Sequence, residues 1–147
     1  RNLRFADLSK LDTSDVQHAG GLFCGCEQLE EVLMPAIGLP SAVRTACMFR
    51  NCRSLTSLNM AGYDLHSAVD LHHMFLGCGK LKQVGASTWA IPHACDVNKM
   101  FFDCPNLHED LRRWQLPRLD LSDDFNFNSP DILVPDGIDN ASIGRGH

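Results

Sequence analysis

Apolar side chains recur at a fixed interval along this chain. The motif Phe-x-x-Cys-x-x-Leu begins at Phe23, Phe49, Phe75 and Phe101, so the residue number rises by 26 from one copy to the next, with no insertion between copies. A constant period of this length is typical of a solenoid, in which every repeat forms one turn and stacks on its neighbours.

Each repeat contains two apolar spacings. Met74 and Phe75 follow Leu71 by three and four residues, a spacing that fits one or two helical turns packed by one face. Leu58 and Met60 alternate with polar residues as in a short strand. The sequence therefore predicts an α/β repeat, a solenoid with a short parallel strand on one face and short helical segments on the other.

Twelve side chains are predicted to form three buried columns. Because identical residues hold the same place in every repeat, each is expected to stack on its counterpart in the next repeat. The columns consist of Phe23, Phe49, Phe75 and Phe101, of Cys26, Cys52, Cys78 and Cys104, and of Leu29, Leu55, Leu81 and Leu107.

Two stretches match a known repeat closely. Residues 11–16 read Leu11-Asp-Thr-Ser-Asp-Val16, and residues 74–81 read Met74-Phe75-Leu-Gly-Cys78-Gly-Lys-Leu81. Over about residues 3–127 the pattern resembles the BspA-like leucine-rich repeats, a family abundant in surface proteins of bacteria and protists. The resemblance implies a leucine-rich-repeat solenoid with a parallel sheet on one face, and an interaction role rather than catalysis.

The fifth repeat departs from the pattern. Trp114 follows Trp89 one residue sooner than the repeat period requires, and the stretch from Asp120 to Phe127 has no Cys. An atypical last repeat is expected to cap the core. The predicted organisation is a solenoid over residues 1–127, with about five coils of one period each, of which the last is a degraded cap, and an extended C-terminal tail over residues 128–147.

Charge and hydropathy argue against a nucleic-acid partner and against a membrane span. The chain has 147 residues and a net charge of −5, and its 13 Lys and Arg residues are scattered, so a nucleic-acid surface is not expected. No apolar run approaches the ~20 residues of a membrane span, and the first residues lack the apolar region of a signal peptide.

The seven cysteines bear on the compartment. Parallel side chains in a column point alongside rather than toward each other, so we expect the four column cysteines to be thiols. Cys24, Cys47 and Cys95 fall at three different places in the repeat, and their redox state stays open. Thiols favour a reducing intracellular compartment, with a surface or secreted location as the alternative.

The outward side chains of the strands are candidate partner contacts. A strip of this kind is a common binding surface of repeat proteins, although solvated strand residues without a partner would look the same. The C-terminal tail is a second candidate contact. The candidate strip consists of Glu30, Glu31, Leu33, Thr56, Ser57, Asn59, Lys82, Gln83, His108 and Glu109.

Chemical sites are not expected. His66, His72, His73, Cys78, His93 and Cys95 are possible zinc ligands, but no Cys-x-x-Cys pair is present, so no metal or other cofactor is predicted. A Cys/His hydrolase site formed by Cys95, His93 and Asp96 is disfavoured because residues adjacent in sequence rarely face one another.

Taken together, these patterns favour a non-catalytic module that binds protein. A structural or scaffold subunit of a larger assembly is the first hypothesis, and a cell-surface adhesin or receptor module is the alternative. We do not expect an enzyme.

Overall fold

The computed structural model describes residues 2–142. Within them β1 spans Phe5–Asp7, β2 Glu31–Leu33, β3 Ser57–Leu58, β4 Glu109–Asp110 and β5 Ile132–Leu133, and a 3-10 helix spans Ala86–Thr88. The parallel strands β1, β2 and β3 form one sheet, and β4 and β5 form a second. Phe5 pairs with Glu31 and Glu31 with Ser57, so neighbouring strands of the first sheet are one repeat period apart.

The predicted α/β repeat solenoid with helical segments is wrong. The helical residues among positions 2–142 are those of the 3-10 helix, which lies outside the segments predicted to be helical. The strands are two or three residues long and belong to two separate small sheets, so the predicted leucine-rich-repeat architecture does not form. In the same part of the chain, no helix is long and apolar enough to cross a bilayer.

The segments predicted to be helical are turns because their N–H groups bond to the next repeat. Phe23 N–H donates to the carbonyl of Met48 at 2.8 Å, whereas an α-helix bonds to the carbonyl four residues earlier. Cys47 and Asn51, four positions apart in the second repeat, have φ of 59° and 60°. Left-handed residues at this spacing are incompatible with a right-handed helix.

The Phe, Cys and Leu columns lie in the core. All twelve side chains are 0–7% exposed. The rings of Phe49, Phe75 and Phe101 stack with centroids 5.6 and 5.4 Å apart. Each column thiol beyond the first repeat also donates to a buried carbonyl of the preceding repeat, as Cys78 Sγ does to Phe49 at 3.1 Å and Cys104 Sγ to Phe75 at 3.0 Å. The Cys column therefore supplies both apolar packing and hydrogen bonds.

The fifth repeat completes the core with different residues. Phe125 packs edge-on against Phe101, and Ser129 replaces the column Cys, its hydroxyl donating to the Phe101 carbonyl at 2.5 Å. Ile132 and Ile138 are buried. Residues 128–142 thus pack against the fourth and fifth repeats, where the sequence predicts an extended tail. Residues 143–147 of that predicted tail lie outside the described residues.

The column thiols should be unreactive in the folded protein. Burial raises the pKa of Cys52 and of Cys104 to about 12, from an ordinary value of 9.0. In labelling with a disulfide reagent near pH 8 and with EDTA present, we expect the half-buried Cys47 and Cys95 to react first. The four column thiols should react only on unfolding, and equal native rates for Cys47 and Cys78 would contradict the column.

The same shift predicts a loss of stability at high pH. The unfolded chain releases these protons near pH 9, whereas the folded chain retains them until about pH 12. Because the unfolded state then binds fewer protons, the free energy of unfolding should fall as the pH rises from about 9 to 12. Urea unfolding over this range measures the effect.

Candidate functional site

The strand strip is the row of side chains that point away from the core on β2, on β3 and at equivalent places in the next two repeats. Parallel pairing brings these side chains to one side of the molecule, since Glu31 lies beside Ser57. All are exposed except Glu31, which is half-buried. The strip consists of Glu30, Glu31, Leu33, Thr56, Ser57, Asn59, Lys82, Gln83 and His108.

Glu109 is predicted to belong to this surface, and that prediction is wrong. Its side chain is buried, and its carboxylate accepts N–H bonds from Val84 at 2.9 Å, Gly85 at 3.3 Å and Ser87 at 3.2 Å. Glu109 follows Val84 by one residue less than a full repeat period. A one-residue shift turns a strand side chain to the opposite face. The carboxylate then holds the turn that separates β3 from β4.

Charge along the strand strip is only partly compensated. Glu30 forms an exposed ion pair with Arg4 at 3.1 Å, and His108 Nδ1 lies 3.6 Å from Asp131. In residues 2–142, Lys82 has no ion-pair partner. The middle of the strip therefore offers one cation beside the neutral side chain of Thr56.

A cavity opens beside the strand strip where β2 and β3 end. Its volume is about 360 Å³, and its lining includes Leu33, Ser57 and Asn59 of the strip. The Asn59 carboxamide accepts the N–H of Ala61 at 3.0 Å, which fixes this side chain. Leu33 is 39% exposed. The cavity thus combines an apolar wall with two polar side chains.

A second group of polar side chains lies on the turns of successive repeats. We call Cys47, Asp70, His72, His73 and Asp96 the turn cluster. One ligand atom each of Cys47, His72 and His73 lies within 4.8 Å of the other two, and the same holds for Asp70, His72 and Asp96. His72 Nδ1 is 2.5 Å from an Asp70 carboxylate oxygen and 3.7 Å from one of Asp96. All five residues are half-buried.

Burial changes two pKa values in the turn cluster. It is the largest cause that lowers the pKa of His73, and the charge of His72 adds to it, so His73 is neutral near pH 7. Burial is also the largest cause that raises the pKa of the Cys47 thiol, followed by the neighbouring thiol of Cys24. A cation that binds this thiol must therefore displace its proton.

The other residues considered as zinc ligands or as hydrolase catalytic residues do not form a common site. Cys78 is a core residue. The rings of His66 and His93 meet edge to face at 5.1 Å. Asp96 faces His72, and within residues 2–142 no hydrogen bond joins Cys95 to His93. The disfavoured Cys95, His93 and Asp96 group therefore has no hydrogen bond between its Cys and its His among these residues.

Sequence reasoning named His72 and His73 as possible zinc ligands but did not include Cys47, because this residue comes from the preceding repeat. Short spacings such as Cys-x-x-Cys do not detect such a set. The repeat period does contain the signal. Cys47 and His73 are one full period apart, and so are Asp70 and Asp96, which places each pair in one column.

Comparison with known proteins gives a match to a protein family. A family model described as "Mycoplasma protein of unknown function, DUF285" matches residues 1–114. No curated protein and no solved structure matches the chain.

Proposed function

The chain belongs to the DUF285 family, for which no function is known, and we propose that it is a non-catalytic protein-binding module whose contact surface is the strand strip. In this proposal it serves as a structural or scaffold subunit of a larger assembly. The observation that carries the proposal is the cavity of about 360 Å³ that opens beside the strip and is lined in part by Leu33, Ser57 and Asn59 of the strip.

The shape and chemistry of the cavity suit a partner side chain. Its size is at the lower end of the range of ligand sites, about 300–1,000 Å³. Leu33 supplies apolar surface, and Ser57 and Asn59 supply hydrogen-bonding groups around it. Anchoring side chains of protein partners commonly bind in small pockets of this kind, surrounded by polar contacts.

The surroundings of the cavity extend the contact surface. Phe5 in β1 is exposed on the same sheet, beside Glu31, and adds apolar area on the β1 side of the strip. Lys82, one repeat beyond the cavity residues Ser57 and Asn59, has no ion-pair partner among the described residues. A partner with an apolar anchor and a nearby carboxylate would match both features.

Site-specific photo-crosslinking tests the proposal. A photoreactive amino acid placed at Ser57 should crosslink the partner in extracts of the native source. The same group at His66, an exposed residue on a turn, should not. Excess unlabelled wild-type protein should abolish the crosslink, and excess Thr56→Arg protein should compete at least tenfold less well because Thr56 adjoins the cavity residue Ser57.

Two results would overturn this proposal. One is equal crosslinking from Ser57 and His66, which indicates nonspecific capture. The other is full competition by the Thr56→Arg protein. Since Thr56 is exposed, its replacement should leave the unfolding midpoint unchanged, so weaker competition reports on binding rather than on folding.

A further inference from the structure

Three members of the turn cluster bring ligand atoms together from two successive repeats. Cys47 belongs to the second repeat, and His72 and His73 belong to the third. The N–H of Cys47 donates to the carbonyl of His72 at 2.9 Å, which holds the two turns in register. We propose that Cys47, His72 and His73 bind a zinc ion that joins these two repeats.

The ligand set selects the metal. A thiolate and two imidazoles are a common zinc environment, whereas magnesium and calcium prefer oxygen ligands. In a tetrahedral zinc site with bonds of about 2.0–2.3 Å, ligand atoms are about 3.4–3.6 Å apart. The three atoms already lie within 4.8 Å of one another, so side-chain movements of about 1 Å complete the site.

Asp70 prepares His72 for this role. Its carboxylate accepts a hydrogen bond from His72 Nδ1 at 2.5 Å, which leaves the lone pair on Nε2. Histidines that bind zinc usually donate the other ring N–H to such a carboxylate, which fixes the ring and makes the ligand atom more basic. The backbone N–H of His72 also donates to this carboxylate at 3.2 Å.

Charges around the site are mixed. Arg50 and Lys99 act electrostatically on His73 and oppose a bound cation. The carboxylates of Asp70 and Asp96 and the thiolate of Cys47 act in the opposite sense. With three protein ligands and a half-exposed location, the fourth position is open to water.

Cobalt titration of the untagged, full-length protein tests this site. Co²⁺ replaces Zn²⁺ and reports its ligands, so we expect one equivalent to give a thiolate-to-cobalt charge-transfer band and the visible bands of tetrahedral cobalt. Zn²⁺ should abolish these bands and raise the unfolding midpoint relative to protein in EDTA. This readout is independent of the strand strip.

Three variants separate binding from folding. Cys47→Ala should lose the charge-transfer band, and His73→Asn, chosen because Asn tolerates the positive φ of 57° at this position, should lose the zinc-dependent rise in the midpoint. Asp70→Asn should lower zinc affinity about 10- to 100-fold. As the control, His66→Ala, which removes an exposed histidine of the other pair, should bind as the wild type does.

Several outcomes would overturn the proposal. These are a cobalt complex without the thiolate band, no zinc-dependent change in the wild-type midpoint, and unchanged zinc affinity in Cys47→Ala and Asp70→Asn. Unfolding midpoints in EDTA show whether each variant folds. If Cys47→Ala does not fold, the affinity of Asp70→Asn decides the question, because Asn keeps the size of the side chain.

Discussion

Replacing Phe75 by Ala should lower the free energy of unfolding by about 3–5 kcal/mol. The Phe75 ring is fully buried and stacks on Phe49 at 5.6 Å and on Phe101 at 5.4 Å. Its loss leaves a cavity between two repeats, and neither neighbouring ring can move into it without breaking its own stack. Urea denaturation followed by circular dichroism measures the change.

Thr56→Ala provides the control for Phe75→Ala. Thr56 is exposed on the strand strip, so its replacement should change the free energy of unfolding by no more than about 0.5 kcal/mol. Similar losses of stability in the two variants would mean that the Phe column does not carry the packing energy described above.

The repeat period is enough to predict which side chains meet, but it does not predict the backbone between them. Residues one period apart, such as Phe49 and Phe75, lie face to face because each repeat pairs in register with the next. The three- to four-residue apolar spacing around Phe75 predicts a helix. In the structure the same spacing arises from turns in which Phe75 N–H bonds to Met100 of the next repeat.

Glycine in the turns was the available signal against helix. Gly21 and Gly25 have φ of 70° and 75° in the first repeat, and two glycines four positions apart argue for left-handed backbone. In later repeats the same places are taken by residues such as Cys47 and His73, with φ of 59° and 57°. Cys and His do not by themselves predict a left-handed backbone. Packing against the neighbouring repeats imposes this conformation on them.

A single-residue deletion explains why the repeat period wrongly predicts an exposed Glu109 side chain. Trp114 follows Trp89 one residue short of the repeat period, which places the missing residue between them. If the full period is kept, Glu109 is the counterpart of the exposed residue Gln83, which predicts an exposed side chain. If the deletion lies before Glu109, Glu109 is the counterpart of the buried residue Val84, which predicts a buried side chain. The three N–H groups that need an acceptor at this turn favour the second solution.

Replacing Gly85 by Ala should lower the free energy of unfolding through both backbone conformation and steric overlap. Gly85 has φ of 84°, and a Cβ atom built there would lie 2.6 Å from the Cα of Ala61. The left-handed conformation costs a residue with a Cβ about 1–2 kcal/mol, and overpacking against backbone adds about 1–3 kcal/mol. We therefore expect a loss of about 2–5 kcal/mol, measured by urea denaturation.

Gly62→Ala separates the two contributions. Gly62 has a similar φ of 72°, but a Cβ there would meet no atom within 4 Å. It should therefore cost only the conformational part, about 1–2 kcal/mol. The difference between the two variants reports the close approach of Gly85 to Ala61 that lets the third repeat pack on the second. If Gly85→Ala costs no more than Gly62→Ala, the two backbones are further apart than described, and the register around the 3-10 helix is incorrect.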